Sequence, residues 1–349
     1  MSIRNSLSSD PQATVNSPML DVTVVIVSYN TAKLTLDCLR SIYEQTRRVS
    51  FEVVVIDNAS SDGSVAAIHQ EFPECIVIEN VKNLGFAAAN NQGLCRARGR
   101  YALLLNSDTR VLDGAIDKAV AFADVHPESG MVGCRTLSAN GSIQYNCFMF
   151  PSLLNLALSL TQLTSLRPRN RFFGRARMTW WNYDTVREVD AVAGCFMLVR
   201  RQAFEEVGPM SEEYFMYSED TDWCWRFSRK GWKVLYTPDA VIVHIREASA
   251  SQFAVDMHLL QRRSILMFLE KKSGALVRWT ANAMFCVSAL SRLFVLSLGR
   301  VYKGSYRQET RRQWDISVAS LWFHLWGYWP KSVPGNPSGK VGDPVCEGE

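Results

Sequence analysis

No two of the nine cysteines (Cys38, Cys75, Cys95, Cys134, Cys147, Cys195, Cys224, Cys286, Cys346) are spaced C-x-x-C, and their scatter and odd number give neither a disulfide framework nor a zinc ligand set. They read as small buried hydrophobes in a reducing compartment. Residues 1–20 lack the apolar core of a signal peptide, so secretion is not expected, and their Ser, Asn, Pro and Gln content suits disorder. No G-x-G-x-x-G follows the first apolar run and no G-x-x-x-x-G-K-S/T occurs anywhere, which removes the dinucleotide fingerprint and the phosphate loop. An NAD-dependent oxidoreductase is disfavoured on that ground. A charge excess is also missing: 38 basic against 34 acidic residues leave a net +4, too balanced for a nucleic-acid partner.

What is present suffices for a folded core, since 47% of the 349 residues are hydrophobic. Short apolar runs at Val22–Val27, Val53–Ile56, Ile76–Ile78 and Ala102–Leu105 are too continuous for strands with one wet face and predict strands buried on both sides. Between them lie helical stretches, Thr31–Gln45, Asp62–Phe72 and Gly85–Arg98. The alternation predicts an α/β fold with a doubly wound sheet. Residues 151–187 lack periodicity, contain the basic, aromatic stretch Arg167–Trp181, and are expected to form an irregular insertion. The pattern resumes with a strand over Ala191–Arg200 and a helix over Glu219–Lys230 that stops at Gly231, followed by short strands at Val234–Tyr236 and Val241–Val243. A catalytic domain over 21–250 is thus followed by a helical region, 251–331, and a tail, 332–349, whose Pro, Gly and Lys suit disorder.

In such sheets a ligand sits beyond the carboxyl ends of the strands. Three strands here deliver polar groups to that edge: Ser28-Tyr29-Asn30, Asp57-Asn58-Ala59-Ser60-Ser61-Asp62, and Asn106-Ser107-Asp108. Asp57 can accept hydrogen bonds from a ribose hydroxyl or a base N–H, while Ser60 or Asp62 serves as a helix cap. Asn106-Ser107-Asp108 alone is equally a turn, but with no backbone cradle for phosphates a divalent cation on a carboxylate is the remaining way to neutralise them. Small residues around Asn83-Leu84-Gly85-Phe86 let the next helix lie close to the sheet or a ligand.

The strongest acidic cluster is Glu219-Asp220-Thr221-Asp222, flanked by Trp223 and Trp225. Three carboxylates at a helix start gain from the helix dipole, a sufficient structural reason for them. The tryptophans argue for more, with Asp220 as a general base and an aromatic face for sugar stacking, Glu219 and Trp223 standing on the acceptor side. His244, at the end of Val-Ile-Val, is either a structural histidine or a member of the metal shell.

Val25-Ile26-Val27-Ser28-Tyr29-Asn30, Asp57-Asn58-Ala59-Ser60, Asn83-Leu84-Gly85-Phe86, Leu105-Asn106-Ser107-Asp108, Gly194-Cys195-Phe196-Met197 and Phe215-Met216-Tyr217-Ser218-Glu219-Asp220 together resemble the family 2 glycosyltransferases, and among them the rhamnosyltransferase-like enzymes of O-antigen and surface polysaccharides. The resemblance spans about residues 21–250 and implies a GT-A fold with a mixed doubly wound sheet, an inverting displacement, and Mg²⁺ or Mn²⁺ on the donor diphosphate. By position it places Ser28, Asn30, Asp57, Asn83, Gly85 and Asn106 at the nucleotide-sugar donor, Asp108 and His244 at the metal, Asp220 as base, and Gly194 and Cys195 where the acceptor subsite begins. Asn106 stands where many members carry another acid. dTDP-rhamnose is the donor the resemblance suggests. A non-catalytic sugar-nucleotide or polysaccharide-binding module and a metal-dependent nucleotidyltransferase are the alternatives; the presence of Asp220 and Asp108 speaks against the first, the tryptophan-flanked cluster against the second.

The run Ala275–Leu298 is apolar but carries Arg278 and Arg292, and a charge at the centre of a spanning helix costs roughly 2.5 kcal/mol. An interfacial helix is therefore expected, flanked by Arg262, Arg263, Lys271, Lys272, Arg300, Lys303, Arg307, Arg311 and Arg312 and by the aromatic run Trp322–Trp329. The competing arrangement packs it on the catalytic core. With a lipid-linked glycan acceptor, the expected location is cytoplasmic, peripheral at the inner face of the plasma membrane.

Overall fold

A computed structural model describes residues 19–245, 254–303 and 308–327. Most of the N-terminal stretch 1–20, the tail 332–349, and Arg307, Trp329 and Cys346 lie outside the described residues.

The first half follows the strand–helix alternation: β1 (Val22–Ser28), α1 (Ala32–Gln45), β2 (Phe51–Asp57), α2 (Ser64–Glu71), β3 (Ile76–Glu79), α3 (Phe86–Arg96) and β4 (Tyr101–Asn106). Then come β5 (Thr109–Leu112), α4 (Ala115–Val125) and β6 (Ser129–Leu137), followed by β7 (Cys147–Phe148), α5 (Leu153–Leu160), α6 (Leu163–Leu166), β8 (Arg187–Glu188) and β9 (Ala191–Val192). The last elements are β10 (Phe196–Arg200), α7 (Arg201–Val207), α8 (Glu219–Arg229), β11 (Lys233–His244), α9 (Ala254–Ser273), α10 (Ala275–Lys303) and α11 (Gln308–Trp326).

Nine strands form one mixed sheet in the order β3-β2-β1-β4-β10-β6-β11-β5, with β8 also on β11. β1 pairs parallel with β2 and β4, whereas β10 runs antiparallel between β4 and β6. Alternate strand residues feed two cores, as a strand's period of two demands. Val22, Val24 and Ile26 pack with Cys38, Leu39 and Ile42 of α1 and with Ala119 and Val120 of α4. Val25, Val54 and Leu104 point the other way, to Ala87 and Ala89 of α3 and Trp223, Cys224 and Phe227 of α8. Helices thus cover both faces. The small residues of α3 serve this packing: a Cβ on Gly93 would come within 2.3 Å of Val25 Cγ1.

Four expectations are corrected. Ala191–Arg200 is two strands, broken at residues 193–195 where the chain turns towards α8. The two short strands after α8 are one, Lys233–His244, with an irregularity between Thr237 and Val241. β3 is an edge strand with Ile76 exposed, so it is not buried on both faces. The insertion 151–187 contains two helices, α5 and α6, before it becomes irregular.

Beyond β11 the helices do two things at once. On one side of α10, Ala281 and Phe285 pack against Leu266 and Leu269 of α9 and Leu156 of α5. On the other, Leu276, Trp279, Val287, Leu290, Phe294 and Leu298 are exposed in a stripe at helical spacing. α10 is therefore packed on its neighbours along one side and apolar outwards along the other.

Candidate active site

The acidic turn and the histidine are joined by strand pairing. Thr109 of β5 lies opposite His244 of β11, and the Ile245 amide donates to the Asp108 carbonyl at 2.9 Å. This register brings His244 Nε2 to 3.1 Å from Asp108 Oδ1 and 3.4 Å from Asn106 Nδ2. The ring's other nitrogen is 3.1 Å from Gln144 Oε1, whose own amide group donates to the His244 carbonyl at 2.5 Å. Gln144 Oε1 can only accept, so Nδ1 carries a proton and Nε2, on the Asp108 side, is the ring nitrogen that a neutral imidazole offers as a metal ligand. Nothing in the sequence pointed to Gln144, which lies 100 positions from its partner.

The same place holds an orphan. Asn106 Oδ1 is buried with no hydrogen-bond donor, beside the Asp108 carboxylate and the imidazole. A hard cation is a natural partner for such an oxygen, so Mg²⁺ or Mn²⁺ fits the donor set of one carboxylate, one amide oxygen and one imidazole. Among the described residues no three His, Cys, Asp or Glu side chains gather as a metal site, so a cation here would take few ligands from this chain and would draw the rest from phosphate oxygens and water.

Asp220 is the second residue of α8, whose start follows Tyr217 and Ser218, both at positive φ. Its Oδ1 accepts from the Thr221 amide at 2.6 Å and the Thr221 hydroxyl at 3.1 Å, and Oδ2 accepts from the Gly194 amide at 3.2 Å. Burial pushes its carboxyl above the usual range, against the pull of these bonds. The neighbouring Cys195 carbonyl accepts from the Asn106 amide at 3.3 Å. The turn 194–195 that breaks the predicted strand thus ties the carboxylate of Asp220 to the Asn106–Asp108 turn. Glu219 is buried with Oε2 unpartnered, and burial together with the charge of Asp220 holds its carboxyl well above the ordinary range.

At the donor edge, residues from β1, β2 and β3 form one network. Asn30, at φ 53°, receives the Ser61 amide on Oδ1 at 2.8 Å and donates its own amide to Ser60 Oγ at 2.9 Å. Asp57 is buried and accepts from the Ser60 amide at 2.8 Å and the Ser64 hydroxyl at 3.3 Å, which leaves lone pairs for a ligand. Asp62 caps α1 from outside, accepting from the Ala32 amide at 2.8 Å. Asn83 Oδ1 takes the Gly85 amide at 2.9 Å and the Asn58 amide group at 2.8 Å. Asn58 therefore anchors this corner, a second residue whose part sequence reading missed. Ser28 lies beneath the edge, fully buried against the Thr31 and Thr35 hydroxyls, with Thr31 in turn bonded to the Ser107 hydroxyl, so Ser28 supports the edge and is not open to a donor.

Two acceptor-side expectations are corrected. Trp223 is no sugar platform: it is fully buried, with Nε1 donating to the Gly208 carbonyl at 2.9 Å and rings of Phe204 and Phe227 at its edges. It sits on the stripe Asp220, Trp223, Cys224, Phe227, whose inner part is core. Cys195 is likewise buried in the opposite core layer, near Thr136. Of the two residues of that turn, Gly194 touches the carboxylate. Asp222 is fully buried between Arg226 at 3.0 Å and Lys271 of α9 at 2.9 Å, which gives it a structural task.

A mixed doubly wound sheet with a carboxylate–imidazole pair and a separate desolvated carboxylate at one edge is an arrangement suited to a transferase acting on a diphosphate-activated donor. The chain belongs to glycosyl transferase family 2, whose sequence profile matches residues 23–208. It is 29% identical over 83% of its length, and 95% of the relative's, to an N-acetylglucosaminyl-diphospho-decaprenol L-rhamnosyltransferase of Mycobacterium tuberculosis. It is 24% identical to the O-antigen biosynthesis protein RfbC of Myxococcus xanthus, over 67% of this chain and 18% of that one. A mannosyltransferase from Pyrobaculum calidifontis, solved with GDP-Man and Mn²⁺, shares the fold with a TM-score of 0.54 at 20% identity, covering 89% of this chain and 88% of that one. The chain is thus a family 2 glycosyltransferase of GT-A-like architecture.

Proposed function

We propose that this enzyme transfers a rhamnosyl group from dTDP-rhamnose, with inversion, to a hydroxyl of a lipid-linked glycan at the cytoplasmic face of the membrane. The carrying observation is the join made by Gly194 and Cys195, which fixes the Asp220 carboxylate against the Asn106–Asp108–His244 group. The rhamnosyltransferase relative, matched along nearly its whole length, supports the choice of sugar and of a lipid-linked acceptor.

Asp220 takes the proton of the acceptor hydroxyl as that oxygen bonds to the anomeric carbon and the bond to the diphosphate breaks, its electron pair leaving with the diphosphate. Burial raises the basicity of this carboxylate, and the Gly194 and Thr221 amides hold it in place. Asp108, His244 and the side-chain Oδ1 of Asn106 would hold Mg²⁺ or Mn²⁺, which when bound stabilises the departing nucleoside diphosphate. Asn30, Asp57 and Asn83 shape the nucleoside side of the donor pocket. One base on one face of the sugar gives inversion, without a covalent intermediate.

We read residues 21–250 as the catalytic unit and α9–α11 as its membrane-facing extension, with the exposed stripe of α10 and the exposed Trp322 and Trp326 of α11 lying in the headgroup layer. The test is a donor screen with purified protein, Mg²⁺ or Mn²⁺ and a prenyl-diphosphate-linked N-acetylglucosamine, reading released nucleoside diphosphate. Release from dTDP-rhamnose that depends on the acceptor is expected. Turnover of another nucleotide sugar, with dTDP-rhamnose inert, would refute the donor assignment.

A further inference from the structure

The insertion before β8 carries a charge that the reaction as described does not use. Between residues 167 and 187 there are six arginines, Arg167, Arg169, Arg171, Arg175, Arg177 and Arg187, against one carboxylate, Asp184. Among the described residues no carboxylate closes an ion pair with any of the six. An arginine-rich surface is ordinarily a solvated one, but two features set this apart. The guanidinium groups of Arg171 and Arg187 both lie over the Trp180 ring, 4.5 and 5.0 Å from its centroid, and Arg187 also lies 5.0 Å from the Trp181 centroid. Two like charges are therefore gathered on one indole. In addition, Nε of both Arg175 and Arg187 is buried with no acceptor. Indole faces hold cations without neutralising them, so these guanidinium groups keep their charge and N–H donors for an anion the protein does not supply.

The position of this group is informative. Arg187 belongs to β8 and pairs with Tyr236 of β11, and the insertion is tied back to the chain just after β7 by the Met149 amide on the Ala176 carbonyl at 3.0 Å. Its own α5 packs through Leu156 on α10, the helix with the apolar outer stripe. Exposed Leu166 and Phe172 bracket Arg167, Arg169 and Arg171 in the chain, so apolar surface lies beside the charge. We infer that the Arg171–Trp180–Arg187 group is a binding site for the diphosphate of a prenyl-diphosphate-linked acceptor, with Leu166 and Phe172 against the first part of its chain. Guanidinium groups bind phosphate oxygens two at a time, and a diphosphate offers enough of them for both forks.

The choice of ligand rests on the lipid-linked-acceptor reading above, so the test measures binding rather than transfer and the two can fail separately. The full chain is titrated with farnesyl diphosphate below its aggregation concentration, in the presence of a chelator so that metal-dependent diphosphate binding at Asp108 is silent. Farnesol is the phosphate-free control. Arg171→Gln alters an exposed side chain, and Arg187→Gln keeps much of the stem that lies on the indoles; thermal unfolding confirms that each is folded. Farnesyl diphosphate is expected to bind at least tenfold more weakly to either variant, with farnesol indifferent to both changes. Equal binding by the parent and by folded Arg171→Gln, or no binding by the parent, overturns the proposal. So does loss of flotation with phosphatidylglycerol vesicles while farnesyl diphosphate binding is unchanged, because the phosphate recognised would then be a bilayer headgroup.

Discussion

Gln144 grips His244 at two points, its Oε1 3.1 Å from Nδ1 and its Nε2 donating to the backbone carbonyl at 2.5 Å. The pair sets both the tautomer and the tilt of the imidazole. Gln144→Leu removes both bonds while keeping a side chain of similar size. Affinity for Mn²⁺ in the presence of a nucleoside diphosphate should then fall about 10–100-fold, the usual effect of losing a partner behind a metal ligand. Titration of the free Mn²⁺ resonance reads this directly. An unchanged affinity would mean that His244 is held by its strand alone, or that it is no ligand.

Asp108→Ala should abolish metal-dependent donor affinity, because the turn has no second carboxylate to replace it. Calorimetry that shows the same Mn²⁺-dependent binding of nucleoside diphosphate in variant and parent would remove Asp108 from the metal shell.

Asp220→Asn preserves the shape but cannot accept a proton, so transfer should fall about 10²–10⁴-fold with donor affinity within a few-fold. The parent's activity should decline as pH falls through the raised value of this carboxyl, placing the acid limb above the ordinary carboxylate range. Stability follows the opposite course. Asp220 and Glu219 are both raised in the folded state, so between their unfolded and folded values the native protein binds more protons than the unfolded chain. Their contribution to stability therefore decreases as pH rises through that window. Urea midpoints measured across pH should show this slope, flattened in Asp220→Asn and Glu219→Gln; an unchanged slope would refute the burial assignment.

Gly85 has φ +87°, and a Cβ there would lie 2.4 Å from the Phe215 carbonyl oxygen, in the segment that leads to Asp220. The Phe86 amide donates to that same oxygen at 2.8 Å. Gly85→Ala should therefore cost about 1–3 kcal/mol and displace the 215–220 segment, lowering transfer more than donor binding. Wild-type urea stability and turnover in the variant would count against this coupling.

How far the sequence carried the fold depends on whether its signals were local. β1, β2 and β4 have uninterrupted Val, Ile and Leu runs because helices cover both their faces, and that pattern needs no partner to be read. β5 and β6 went unrecognised: Thr109–Leu112 has four residues, and Gly130 and Gly133 interrupt the apolar run of Ser129–Leu137. The break at Gly194 was hidden because Ala191, Val192, Cys195 and Phe196 are apolar on both sides of it. Of the site, the polar strand ends were legible for the same local reason. Trp223 misled because adjacency in sequence to Asp220 says nothing about depth, and the helix carries it inward to the core. Gln144 and Asn58 work through contacts far apart in the chain, which no spacing reveals.

The membrane reading is decided by the outer face of α10. Deleting 275–331, which an extension merely laid on the bilayer would tolerate, is a poor test here, since it strips Ala281 and Phe285 from Leu156, Leu266 and Leu269 and leaves that core open. Charges placed on the exposed stripe spare the packing. Trp279 and Phe294 are 71% and 64% exposed, so Trp279→Glu with Phe294→Glu should leave the folded enzyme intact. If the stripe rests among lipid headgroups, each glutamate loses apolar burial and adds repulsion from anionic lipid, and the two effects act together. The parent should float with phosphatidylglycerol vesicles, be loosened though not fully released by high salt, and the double variant should stay at the bottom of the gradient. Release of nucleoside diphosphate to water or to a soluble acceptor should persist in the variant, while transfer to an acceptor embedded in vesicles falls. A parent chain that ignores anionic vesicles would defeat the membrane-facing reading, since the stripe would then have no bilayer to meet.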